Sequence, residues 1–316
     1  MNSSATDRIR LQPKTGGASV VVAPAWGGRV CELIVPLDGI NYSVIDGFRQ
    51  DEAIDQDLRF KSAPLIPFPN RLKQGQYTFD GTSYQLPINE PRRGHAIHGL
   101  IYNRPMVVED AQITDQTAQL RLTYSYRGEV AGYPFPFQLT ITYSIGEPDG
   151  FRCTTTIKNT GSTHLPLGVG WHPYLSLAGG VADWTMTLPR CQVYTVDNLL
   201  IPTGTKREYQ DFSKPTRLDQ VQLNHCFGLM SAESRSEIPF GSPVGDWQLL
   251  LWMESGLNQY RYFQLFTPPD RTSIAVEPMS CCINAFTNHD GLIRLEPDET
   301  FRAAYGLQLR PFIPTT

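Results

Sequence analysis

The chain has 316 residues and a net charge of −4, with 41% hydrophobic and 18% charged residues, a composition typical of a folded globular protein and not of a disordered chain. Charges of both signs are mixed along the sequence and form no basic stripe, so nucleic acid is not an expected partner. No apolar run approaches the ~20 residues of a membrane-spanning helix, and we expect no membrane partner.

The N-terminal segment and the cysteines indicate the compartment. The segment MNSSATDRIRLQPKTGG is polar and lacks the apolar stretch of a secretory signal peptide. The cysteines are scattered, apart from one adjacent pair, and form no C-x-x-C motif, so a disulfide framework is not indicated. We therefore expect buried, reduced thiols in a cytoplasmic protein. The six cysteines are Cys31, Cys153, Cys191, Cys226, Cys281 and Cys282.

The periodicity along the chain is mostly that of β-strands. The best short helix candidate is the segment 51–60 (DEAIDQDLRF). Apolar and polar residues then alternate in AQLRLTYSY (118–126) and QLTITYSI (138–145), as in half-buried strands. Similar patterns follow at 151–159, 182–189, 247–254, 260–266, 272–277 and 301–310, with Gly-, Pro- and Asp-rich turns between strands. We predict an all-β protein, a large antiparallel β-sandwich, with residues 1–316 in a single domain.

Four segments combine strand ends with reactive side chains, and together they resemble the aldose 1-epimerase (galactose mutarotase) family. They are FPNRLKQGQYTFDGTSYQL (68–86), RRGHAIHGLIYNRP (92–105), GWHPYL (170–175) and AVEPMSCCINAFTNHDG (275–291). The first is similar to the family's substrate-arginine segment, the second to its H-G site, the third to its G-x-x-H-P-Y element and the fourth to its glutamate segment. The resemblance implies a galactose mutarotase-like β-sandwich with a sugar cleft on one sheet face.

The activity implied by the resemblance is the interconversion of α and β anomers of an aldose by opening and reclosing the sugar ring. A base must remove the proton from O1 and an acid must protonate the ring oxygen O5, which requires neither a metal nor an organic cofactor. Glu277, at the end of a predicted strand, is the candidate base. His172 is the candidate acid, since its unperturbed pKa of ~6.5 allows proton exchange near neutral pH. His98 is the third candidate catalytic residue, as a hydrogen-bond donor to a sugar hydroxyl or to developing charge.

Substrate binding is expected from Arg71, whose guanidinium donates a fork of hydrogen bonds, and from its neighbour Asn70. Trp171 is a candidate for stacking on the apolar face of the sugar. At Asn224 the sequence departs from the family, which usually has an aspartate there. An ionised aspartate only accepts hydrogen bonds whereas an asparagine also donates, so the hydroxyl pattern that is recognised is expected to differ.

A metal site is an alternative interpretation. His95, His98, His172 and Glu277 supply residue types that bind transition metals. However, H-A-I-H in a loop is not the helical H-E-x-x-H motif, and we expect no metal.

Two further alternatives concern the substrate and the activity. Related epimerases act on hexose 6-phosphates, and clustered arginines such as Arg92, Arg93 and Arg104 would suit a phosphate. A carbohydrate-binding protein without catalytic activity is the third interpretation, although it would not need both an acid and a base. We expect a small sugar as the partner of a monomer or homodimer.

Overall fold

A computed structural model describes residues 8–48, 54, 60–148, 150–176 and 179–311. Of the segment 51–60, for which the sequence predicts a short helix, only Ile54 and Phe60 belong to the described residues. In the part of the chain that the structure describes, no helix has the length and apolar character needed to cross a bilayer. All six cysteines are buried and free, as the sequence predicts.

The described residues form 27 strands and one short α-helix. In chain order these are β1 (Ile9–Leu11), β2 (Ser19–Ala23), β3 (Arg29–Leu37), β4 (Ile40–Ser43), β5 (Pro64–Leu65), β6 (Arg71–Leu72), β7 (Gln76–Phe79), β8 (Thr82–Gln85), β9 (Ala96–Ile97), β10 (Val107–Ile113), β11 (Ala118–Tyr126), β12 (Phe137–Glu147), β13 (Gly150–Asn159), β14 (Leu165–Leu167), β15 (Gly170–Trp171), β16 (Tyr174–Ser176), β17 (Thr185–Met186), β18 (Cys191–Val196), β19 (Pro202–Tyr209), β20 (Thr216–Arg217), β21 (Asn224–Leu229), β22 (Arg235–Gly241), β23 (Trp247–Glu254), β24 (Tyr262–Phe266), β25 (Ser273–Met279), α1 (Ala285–Asn288), β26 (Ile293–Leu295) and β27 (Thr300–Pro311).

Two large antiparallel sheets organise the fold. The first has nine strands in the order β10-β11-β12-β13-β27-β23-β22-β17-β20. The second has the order β19-β18-β21-β24-β25-β15-β5, and β16 also pairs with β25. A four-stranded sheet, β1 to β4, and three two-stranded sheets complete the structure. The predicted all-β class and antiparallel architecture are therefore confirmed, whereas the single domain over residues 1–316 stays a prediction.

The core lies between the two large sheets and follows the alternation of the strands. In β11, Leu120 and Leu122 are fully buried while Arg121 between them is exposed, because successive side chains point to opposite faces. Aromatic rings connect the sheets: Trp171 of β15 lies edge-on to Tyr143 of β12, with ring centroids 6.3 Å apart. This packing leaves the opposite face of the second sheet to line a cavity.

Candidate active site

Strand register brings Glu277 and His172 together. β25 pairs with β15 through Gly170 and Met279, and with β16 through Tyr174 and Ala275. The short gap between β15 and β16 therefore places His172 across from Glu277. The His172 Nε2 and Glu277 Oε1 atoms are 3.4 Å apart, and both side chains are buried. Residues from distant segments of the chain thus form one acid–base pair.

The second histidine lies against this pair. The ring of His98 packs edge-on to that of His172, with centroids 5.1 Å apart. Its backbone has a positive φ of 61°, and its N–H donates to the carbonyl of Asn70. Gly99 follows because a Cβ there would lie 2.1 Å from the carbonyl oxygen of Ile66, which no side chain can tolerate. A tight backbone turn therefore aims His98 at the site.

Several polar atoms of these side chains have no hydrogen-bond partner among the described residues. They are His98 Nδ1, His172 Nδ1 and Glu277 Oε2, all buried. Tyr174 stacks on His172 at a centroid distance of 5.0 Å and an angle of 11°, which fixes the plane of the imidazole. Buried polar atoms normally form hydrogen bonds, so these atoms are available to bond a ligand.

Burial sets the protonation of the pair. It raises the pKa of Glu277 from 4.5 to about 8, although the positive charge of Arg71 opposes the shift. It also lowers the pKa of His172 to about 3, and the charge of Arg29 acts in the same direction. The pKa of His172 therefore lies well below its unperturbed value of 6.5, because the folded chain removes the ring from water. At neutral pH the pair holds one proton, and that proton resides on Glu277.

The pKa of His98 is also lowered well below its ordinary value, first by burial and then by the neighbouring His172 and Arg71. His98 is consequently an uncharged imidazole at neutral pH. One of its nitrogens carries a proton and the other accepts one, so it can donate a hydrogen bond or accept one, but it adds no positive charge.

Arg71 is anchored by a carboxylate that the sequence reasoning missed. Its Nε and Nη2 donate to the two carboxylate oxygens of Glu90 at 2.8 and 2.9 Å, and its Nη1 donates to Asn70 Oδ1 at 3.1 Å. Glu90 also accepts a bond from Arg93. Although burial raises the pKa of Glu90, these two guanidinium groups prevail and lower it. Of the five N–H groups of Arg71, two remain for a ligand.

Asn224 is paired with a second residue that the sequence reasoning did not identify. Gln264 Nε2 donates to Asn224 Oδ1 at 2.9 Å, and Gln264 Oε1 is buried with no partner from the described residues. Gln264 lies opposite Glu277 in the β24–β25 ladder, which puts it in the same row of side chains. Its signal was present in the strand YRYFQLF, where a buried glutamine interrupts an apolar run.

All these side chains line one cavity of about 710 Å³, within the ~300–1,000 Å³ that is usual for ligand sites. The predicted residues that line it are Asn70, Arg71, His98, His172, Asn224 and Glu277. Aromatic walls are contributed by Phe60, Tyr102, Tyr174 and Phe266, and charge by Glu90, Arg92 and Arg93.

Trp171 does not line the cavity, and its prediction as a substrate-binding residue is corrected. It is fully buried in the core, where its indole Nε1 donates to Thr155 Oγ1 at 2.9 Å. The reason is the strand alternation: His172 faces the cavity, so the preceding residue must face the other side of the sheet. The rings that line the cavity therefore belong to other residues.

Two further residues of the alternative interpretations lie elsewhere. His95 Nδ1 accepts the backbone N–H of Gln74, and its Nε2 lies 3.2 Å from the carbonyl of Leu199, so both ring nitrogens are engaged. Arg104 donates to the carbonyl of Leu100, away from the cavity wall. Among the residues that the structure describes, those that could hold a metal ion are instead His98, His172 and Glu277, whose ligand atoms lie within 4.8 Å of one another.

Comparison with known proteins adds independent findings. The aldose 1-epimerase family profile matches residues 7–308. The uncharacterized protein YihR of Escherichia coli K12 is 31% identical over 249 residues, which cover 77% of each chain. The galactose mutarotase of Rattus norvegicus is 28% identical over 214 residues, which cover 65% of this chain and 60% of the rat protein.

Solved structures show the same fold at low sequence identity. A galactose mutarotase-like protein from Clostridium acetobutylicum superimposes with a TM-score of 0.83 at 19% identity, covering 94% of both chains. An aldose epimerase homologue from Caenorhabditis elegans gives a TM-score of 0.81 at 18% identity, covering 98% of this chain and 100% of the other. The galactose mutarotase-like β-sandwich expected from the sequence is thus confirmed.

Proposed function

Because the chain belongs to the aldose 1-epimerase family, we propose that it interconverts the α and β anomers of an aldose by general acid–base catalysis without a cofactor. The observation that carries the proposal is the buried Glu277–His172 pair, 3.4 Å apart, facing a cavity of about 710 Å³. Membership of this family supports an epimerase activity on carbohydrates in general, and the Glu277–His172 pair supports the acid–base mechanism.

Ring opening starts with Glu277 ionised and the pair's single proton on His172, so this proton first passes from Glu277 to His172 across the 3.4 Å between Oε1 and Nε2. Glu277 takes the proton of the O1 hydroxyl, a C1=O1 double bond forms, the C1–O5 bond breaks, and His172 Nε2 delivers a proton to O5. The aldehyde then turns about C1–C2 and recloses with both transfers reversed. After opening, the proton is on Glu277 and His172 is the base, which is the arrangement that burial favours. Both arrangements contain the same number of protons, so the cycle needs no exchange with solvent.

The remaining polar side chains position the sugar. His98 donates to a hydroxyl next to the reacting centre, and Arg71 uses its two remaining N–H groups on the ring hydroxyls. Asn224 offers its Nδ2 as a donor because its Oδ1 is already bonded to Gln264. An aspartate in this place could not donate, so the substrate should carry an acceptor group here. The free, buried cysteines support a cytoplasmic location for this activity.

The test is the rate of anomer exchange measured by NMR across a panel of aldoses. Wild-type protein should accelerate exchange for at least one sugar, and Glu277→Gln and His172→Gln should each lower kcat by about 10²–10⁴-fold, the usual contribution of one positioned proton transfer. Glu109→Gln is a matched control, because Glu109 lies on the exposed edge strand β10. Sugar binding without any acceleration by wild-type protein would indicate a binding protein and contradict the proposal.

A phosphorylated aldose is a second candidate substrate, and Arg92 is the observation that favours it. Arg92 lines the cavity and forms no ion pair with the described residues, whereas Arg71 and Arg93 share Glu90. With the proton on Glu277, the described residues that line the cavity carry an excess of positive charge, which suits an anionic group.

The two substrate classes separate in one comparison. If the sugar is phosphorylated, glucose 6-phosphate should react with a lower KM than glucose, and Arg92→Gln should raise only the KM for the phosphate ester. Equal KM values for both sugars, unaffected by the substitution, would exclude a phosphate role for Arg92. Arg104→Gln serves as the control, since Arg104 lies outside the cavity wall.

A further inference from the structure

The three side chains of the proposed proton-transfer site have a second chemical capacity. His98, His172 and Glu277 each present a nitrogen or oxygen ligand atom, and these atoms lie within 4.8 Å of one another. All three residues are buried, at 5%, 5% and 2% exposure. Each also has a polar atom without a hydrogen-bond partner in the part of the chain that the structure describes. In many zinc sites two imidazoles and one carboxylate are the three protein ligands, and the fourth position is left for water or another small ligand.

We propose that His98, His172 and Glu277 form a binding site for Zn²⁺ or a similar borderline transition metal, and that the bound metal blocks sugar turnover. The separation of His172 Nε2 from Glu277 Oε1, 3.4 Å, is already that of two ligands on a tetrahedral ion with bonds of about 2.1 Å. The other ligand atoms, within 4.8 Å, must approach by about 1.4 Å or less, which rotation of the side chains can supply.

The surroundings permit a divalent cation in this place. The positive charge of Arg71, which acts on both His98 and Glu277, is compensated by two hydrogen bonds to Glu90. The fourth ligand position opens to the cavity, where water can occupy it. Metal binding to the carboxylate and the neutral imidazoles releases the proton that the pair holds. Mg²⁺ and Ca²⁺ prefer ligand sets made only of oxygen, so the site selects against them.

The metal and the reaction compete for the same atoms. An ion bound to Glu277 and His172 occupies the base and the acid, so it acts as an inhibitor and not as a cofactor. This inhibitory arm rests on the proposed function, whereas metal binding does not. If Zn²⁺ binds but no aldose is turned over, only the proposed function fails. If an aldose is turned over and Zn²⁺ does not bind, only the metal site fails.

The experiment titrates chelator-treated, full-length protein with Zn²⁺ by calorimetry and with Co²⁺ by visible absorption. We expect one ion per chain and Co²⁺ bands of a four-coordinate nitrogen and oxygen site, without the intense thiolate absorption that binding to cysteines would produce. His98→Gln and His172→Gln should each weaken Zn²⁺ binding at least tenfold. Glu277→Gln should do the same, and it provides a variant whose fold is not at risk.

His289→Gln is the matched control, because His289 follows α1 and is exposed outside this cavity. It should bind Zn²⁺ like the wild type. A saturating sugar substrate should weaken Zn²⁺ binding, and Zn²⁺ should raise the apparent KM. Absence of binding by the wild type, thiolate bands in the Co²⁺ spectrum, or unchanged affinity in the three site variants would overturn the proposal.

Discussion

Replacing Glu277 by glutamine should stabilise the protein while it removes the activity. Glu277 is 2% exposed, and its burial raises the pKa of the carboxyl group from 4.5 to about 8. The folded chain therefore keeps a proton that the unfolded chain has lost, and the contribution of Glu277 to the free energy of unfolding falls as the pH rises from 4.5 to about 8. Glutamine is neutral at every pH, so the variant does not undergo this loss.

The magnitude follows from the two pKa values. Each pH unit between them corresponds to about 1.4 kcal/mol, so the variant should gain about 5 kcal/mol over the wild type at pH 8 and above. Burial lowers the pKa of His172 from 6.5 to about 3, so above pH 6.5 this ring is uncharged in the folded and unfolded chains alike. In that interval Glu277 alone accounts for the change, from about 3 kcal/mol at pH 6.5 to about 5 kcal/mol at pH 8.

Urea unfolding, followed by tryptophan fluorescence from pH 6.5 to about 9 in the presence of a reductant, measures this difference. Glu109→Gln on the exposed strand β10 should stay within about 0.5 kcal/mol of the wild type at every pH. If the difference between Glu277→Gln and the wild type does not change with pH, the folded protein does not hold a protonated carboxyl group, and the reasoning is refuted.

Three other predictions concern the pair, the arginine anchor and the core. Turnover should decline above about pH 8, because the Glu277–His172 pair then loses its shared proton. A pH–rate profile that stays level to about pH 10 would contradict this prediction. Glu90→Gln should raise KM about tenfold or more and change kcat little, because Arg71 loses hydrogen bonds to a charged partner that are worth about 1.5–3 kcal/mol each. Glu90→Asp should restore part of the affinity. Equal KM values in the wild type and both variants would show that Glu90 does not position Arg71. Trp171→Phe should lower the free energy of unfolding by about 2–4 kcal/mol, because it leaves a void and removes the hydrogen bond to Thr155, and KM should not change. A raised KM would show that Trp171 does take part in substrate binding.

The fold class was readable from the sequence because each strand carries its own signal. Alternation in β11, with Leu120 and Leu122 buried and Arg121 exposed, is a local property that needs no knowledge of the partner strand. The four segments that resemble the family also lie along the chain in readable form. They led to His98, His172, Arg71 and other polar residues that the structure places around one cavity.

The face of each strand was decided only by the folded chain. Trp171 and His172 are adjacent, so one had to face the cavity and the other the core, but the sequence does not state which. The pairing of β15 and β16 with β25 determines which residue faces the cavity, since Gly170 lies opposite Met279 and Tyr174 lies opposite Ala275. Glu90 and Gln264 were missed for a related reason, because their roles depend on Arg71 and Asn224, which are distant along the chain.

The sequence by itself therefore determined the architecture and most of the reactive side chains, because strand patterning and short motifs are local. The tertiary structure alone decided their protonation. A pKa depends on the water and charge around a group, and burial in the folded chain lowers that of His172 to about 3 and raises that of Glu277 to about 8. Only packing against distant residues supplies that environment, so no stretch of sequence contains it.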